Sequence, residues 1–79
     1  MYKEPRTYLY ERKEELNLSF TKLAELSDLS VRYLYRLFIG ERGGHLPIDS
    51  LEKLRIALQM SIVEIYTKEL AYRKILTNQ

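Results

Sequence analysis

Apolar residues recur along the chain at intervals of three and four, and nothing alternates with period two for long, so the pattern predicts helices and no strands. Leu9 and Leu16 stand two helical turns apart. With Pro5 suited to a first helical position and Asn17 able to end a helix in the left-handed region, they predict a first helix at about 5–16. Ser19 is a good N-cap for Phe20, Leu23, Ala24 and Leu26, and Ser27-Asp28 closes that run, which predicts a second helix at about 20–27. Ser30 caps a third at about 31–39, where Leu34, Leu37 and Phe38 mark one face and Gly40 stops the run. The stretch from Gly40 to Pro47 holds every glycine of the chain and reads as a loop. Asp49 with Glu52, and Ser61 with Glu64, have capping-box spacing, and the apolar positions after them predict helices at about 50–59 and 62–77.

The last helix changes face along its length. Ile62, Ile65 and Tyr66 suit a core, but Glu69 and Arg73 then occupy the same face, spaced as a four-apart ion pair. Tyr72, Ile75 and Leu76 form a second stripe rotated away from the first. This predicts that the distal half packs outside the chain's own core, as the contact of a symmetric homodimer. The alternative is an exposed, frayed end.

Composition narrows the class. The 79 residues, 46% apolar and 30% charged, allow one domain over residues 1–79 and one modest core. No cysteine is present, which excludes a disulfide framework or thiolate zinc site and fits a reducing cytoplasm. No apolar run is long enough for a signal or membrane span, so no membrane partner is expected. The net charge of +2 is small but localised. From Ser30 to Arg42, three arginines face one glutamate, while the remaining charges balance. A local basic excess beside aromatic residues is what a small nucleic-acid reader needs, although a solvated helix face gives the same count.

The second and third predicted helices are separated by about three residues, which suits a near-perpendicular crossing of the helix-turn-helix kind. Ala24 is small where the helices approach, and Leu23, Leu29, Leu34 and Leu37 can fill the space between them. Leu18-Ser19, Leu23-Ala24, Leu29-Ser30, Leu34, Leu37, Gly40, Ala57-Leu58 and Ser61-Ile62 have a joint spacing that resembles the Cro and phage-repressor (XRE-like) helix-turn-helix family, over Leu9 to Tyr66. The resemblance implies an all-α, five-helix lambda-repressor-like DNA-binding domain. Four positions depart from that pattern. Phe20 stands where the family commonly has Gln, and Asp28 where it has Gly. Lys13 and Phe38 stand where it often pairs Arg with Glu, so packing is expected in place of that ion pair.

At about 100° per residue, Arg32, Tyr35, Arg36 and Ile39 lie opposite the apolar face of the third helix. Arginine can bond guanine O6 and N7 with two parallel donors, so Arg32 and Arg36, with Tyr35 and Val31, are the candidate base readers. Ser19, the Phe20 amide, Lys22, Ser30, Tyr33, Arg42, Gly43 and His45 are candidate DNA-backbone contacts, which set register and affinity rather than sequence preference. A flexible loop at Gly43-Gly44 is the plainer reading of that segment. His45 has no acidic cluster or cysteine beside it, so a loop hydrogen bond or phosphate contact is expected there rather than a metal.

Parts for an enzyme are missing: no nucleophile stands with a base and an orienting group, and the chain is too short to enclose a cleft. Lys13, Glu14 and Glu15 read as a solvated face, and Tyr2, Tyr8 and Tyr10 crowd the N-terminus as candidate interface. The expected function is a sequence-specific DNA-binding transcriptional regulator, a repressor that occupies an operator as a homodimer, with no cofactor, metal or small-molecule ligand. The other reading is a protein-interaction module of the same fold, such as an adapter, antitoxin or anti-repressor, that uses Tyr33, Tyr35 and Ile39 to bind protein.

Overall fold

The computed structural model describes residues 4–41 and 46–77, the last two through their backbone alone. Among the described residues the chain forms five helices and no strand: α1 (Thr7–Glu15), α2 (Phe20–Ser27), α3 (Val31–Ile39), α4 (Ile48–Ala57) and α5 (Ile62–Thr77). Three starts are set by serine. Ser19 Oγ accepts from the Lys22 amide at 3.0 Å, Ser30 Oγ from Tyr33 at 3.1 Å, and Ser61 Oγ from Glu64 at 3.0 Å.

The other two starts differ from the sequence reading. α1 begins two residues after Pro5, because the Arg6 amide donates to the Phe38 carbonyl at 2.8 Å and ties the leading segment to the end of α3. α4 begins at Ile48 without an Asp49–Glu52 capping box. Pro47, held at φ −60°, sets its start, and its carbonyl accepts from the Leu51 amide at 2.9 Å. Glu52 turns instead to the Arg55 guanidinium, at 2.8 Å.

α1 and α4 end in the same way. At Asn17 (φ 57°) and Gln59 (φ 56°) the chain enters the left-handed region. The next amides, Leu18 and Met60, reach back to Lys13 and Arg55, and the Asn17 and Gln59 amides to Glu14 and Ile56. These paired bonds satisfy carbonyls that a helix end otherwise leaves open. The cap at Gln59 ends α4 two residues before the expected boundary.

Leu9, Leu23, Leu34, Phe38, Leu54, Leu58 and Ile65 form the fully buried core, drawn from all five helices. α2 packs against both α3 and α4, α4 against α5, and α1 against α3. Each such leucine or phenylalanine contributes about 1.5–3 kcal/mol by leaving water. No helix among the described residues is long and apolar enough to cross a membrane.

The distal half of α5 corrects the sequence reading most. Tyr72, assigned there to a dimer contact, is only 4% exposed; its hydroxyl donates to the Glu4 carbonyl at 2.7 Å, and the Arg6 guanidinium lies 4.4 Å from its ring centre. Glu69 is buried too, because Arg6 reaches it with two parallel bonds, Nε to Oε1 at 3.0 Å and Nη2 to Oε2 at 2.9 Å. Its four-apart partner Arg73 also sits 3.6 Å away. The leading segment thus covers the face that the stripe left over. Ile62, expected in the core, is exposed, as is Ile75; the Leu76 side chain lies outside the described residues.

Candidate nucleic-acid interface

α2 and α3 are joined by Asp28, Leu29 and Ser30, with Asp28 left-handed at φ 60° and ψ 34°. A short polar side chain tolerates that conformation better than most. Leu23, Leu34 and Leu37 are buried between the two helices and the rest of the core, with Ala24 and Leu29 packed at its margin. Burying Leu34, Leu37 and Phe38 fixes the rotation of α3 and so decides which side chains remain outside.

Val31, Arg32 and Tyr35 are the exposed set, with Val31 at 44% and Tyr35 at 52%. Arg36 is half-buried, and its Nε donates to Glu41 Oε1 at 3.0 Å. Lys22, Ser19 and Ser30 are exposed on the same pair of helices, the two serines with their oxygens already accepting cap bonds. Tyr33 turns inward: its hydroxyl lies 2.8 Å from Ser50 Oγ, which links α3 to α4 and takes up the group assigned to phosphate. Arg42, Gly43 and His45, also assigned to phosphate, lie outside the described residues.

Phe20 owes its place to aromatic packing. Its ring meets Phe38 edge-on at 5.0 Å between centroids and Tyr35 at 6.1 Å, and Tyr10 closes on Phe38 at 5.1 Å. Such pairs contribute about 0.5–1.5 kcal/mol beyond their burial. Lys13 is buried rather than solvated, with its Nζ 4.9 Å from the Phe20 ring centre. A cation over an aromatic ring stands where an ion pair between α1 and α3 was expected to be absent, and it braces α1 against the start of α2.

Behind α3 lies the clasp of Arg6, Tyr8, Glu69 and Tyr72. Arg6 Nη1 donates to the Leu37 carbonyl at 2.7 Å and the Tyr8 hydroxyl donates to Glu69 Oε1. Burial alone would lower the Arg6 pKa, but the hydrogen bond and charge of Glu69 outweigh it and the net shift is upward. Burial, then the bond to Glu69, raises the Tyr8 pKa strongly, so its hydroxyl stays a donor. Gly40 completes the arrangement. It is left-handed at φ 75°, and a Cβ there would overlap the Glu4 carbonyl and crowd the Tyr72 hydroxyl, at 2.7 Å. The end of α3 is therefore held from two sides.

No known protein family, characterised protein or solved structure matches the chain.

Sequence reasoning missed Glu41 as a partner of Arg36, having counted it only as a charge against the arginines. It also missed the clasp, whose acid and base lie 63 positions apart. A shallow groove of about 560 Å³ between the start of α4 and α5 was likewise not foreseen; Pro47, Ile48, Tyr66 and Leu70 help to line it. Among the described residues no group of three or more His, Cys, Asp or Glu side chains is placed to hold a metal ion.

Proposed function

We propose that the chain is a small sequence-specific DNA-binding transcriptional regulator of the helix-turn-helix type, a repressor that lays α3 in the major groove. The observation that carries this reading is the exposed side of α3. Val31, Arg32 and Tyr35 stand there together, with Arg36 at its edge, on a helix whose opposite face is locked into the core. Arg32 can supply two parallel donors to a guanine edge, and Tyr35 a flat apolar contact to a thymine methyl. The amides at the starts of α2 and α3, with Lys22, serve the phosphates on either side.

Two copies reading a two-fold operator would meet through α5, where Ile62, Val63, Leu70 and Ile75 remain exposed. Tyr72 takes no part in this.

The second reading, a protein-interaction module, draws on the apolar share of the same surface, since Val31 and Tyr35 are exposed side by side with Arg32. Substituting Arg32 separates the two. Arg32→Ala is expected to weaken binding to the preferred duplex by about 1–3 kcal/mol and to relax preference at one base pair, with the helical circular dichroism unchanged. Equal binding by parent and variant across all single-base changes of the site would remove Arg32 as a reader, and the same result for Arg36→Ala as well would remove α3.

A further inference from the structure

We propose that Glu41 is the positioning residue for Arg36: it holds the guanidinium by its inner edge and presents the outer edge to a single base. The proposal rests on the DNA-reading assignment of α3. Gly40, left-handed at φ 75°, turns the chain back at the end of α3. Glu41 follows directly and meets the side chain that left the helix five positions earlier. The bond uses Arg36 Nε, at 3.0 Å from Oε1, with the two side chains 42% and 33% exposed.

The choice of nitrogen matters. Nη1 and Nη2 form the end-on edge whose two parallel N–H groups match guanine O6 and N7, and a carboxylate on Nε leaves that edge open. A half-exposed ion pair adds little to folding, so its consequence lies in the orientation of the arginine. An arginine already fixed in one direction loses less rotamer freedom on docking and accepts fewer wrong bases. Arg32 is exposed and makes no ion pair of this kind among the described residues. Glu41 also places a negative charge near the expected phosphate path. It therefore weakens binding to any duplex while sharpening the choice among duplexes, and these opposite effects identify it.

The test uses the full chain, a duplex selected from a random pool, its single-base variants and a random-sequence duplex. Dissociation constants are measured for the parent, Arg36→Ala, Glu41→Gln and Glu41→Ala. Arg36→Ala identifies the base pair concerned. Glu41→Ala is expected to cut discrimination at that pair about fivefold, the lower end of what a bidentate contact supplies, while random-duplex affinity holds or rises. Glu41→Gln should fall between parent and Glu41→Ala, because its amide oxygen still accepts from Nε. Unchanged discrimination in Glu41→Ala, beside a clear loss in Arg36→Ala, overturns the positioning role and leaves the DNA-reading assignment standing. A parent that selects no sequence, or an Arg36→Ala variant with the parent's full preference, overturns Arg36 as a reader and the role of Glu41 with it.

Discussion

Glu69→Ala is expected to destabilise the chain by about 3–5 kcal/mol, the usual cost of stranding one half of a buried ion pair. Arg6 is 1% exposed and cannot turn to water without dismantling the segment that carries it. Its bond to the Leu37 carbonyl and its contact with the Tyr72 ring carry no full negative charge to replace the carboxylate, and the Tyr8 hydroxyl loses its acceptor as well. Small domains have only about 5–15 kcal/mol in total, so the variant should unfold at a urea midpoint lower by more than about 1 M. The paired variant Arg6→Met with Glu69→Leu removes both charges and fills their space with apolar atoms. It should recover most of the loss, since desolvating two ions costs nearly what their attraction returns. A single variant with the parent's midpoint would mean that the clasp contributes nothing to stability.

The second large effect is expected at Gly40. Gly40→Ala puts a Cβ into the left-handed region, at about 1–2 kcal/mol, and drives it against the Glu4 carbonyl, where overpacking adds about 1–3 kcal/mol. Asn17→Ala is the internal control, because Asn17 is left-handed too but exposed. The excess cost at Gly40 then reports the close approach of the leading segment. Hydrogen exchange should locate it: the Arg6 amide, bonded to the Phe38 carbonyl in the parent, loses protection in Gly40→Ala and keeps it in Asn17→Ala. Equal losses for the two variants would show that only backbone strain is at work.

Both predictions concern residues whose roles the sequence shows unevenly. α2, α3 and α5 are legible to the residue because serine caps start them and because Asp28 and Gly40, which stop the first two, are residues suited to left-handed backbone. α4 is displaced because Pro47 sets its start and Gln59, an ordinary residue by type, takes the left-handed cap. The exposed side of α3 follows from helical period alone, since its apolar face has one orientation available. The fate of Tyr72 does not. Helical period shows that a face has moved but not what covers it, and the covering segment comes from the other end of the chain. Lys13 fails for a similar reason: a charge run looks solvated until an aromatic ring from another helix, here Phe20, lies under one of its members.

If α3 and its neighbours form a duplex-binding surface, binding must weaken steeply with salt. The parent chain is titrated against a random-sequence duplex from about 50 to 200 mM salt, where counterion release makes log K fall linearly with log salt at about −0.9 per phosphate neutralised. Measurable binding at the low end and a steep linear fall are expected, with a smaller slope for Lys22→Ala. No duplex binding at about 50 mM salt, or binding that is flat across the series, would contradict the duplex-binding assignment of α3.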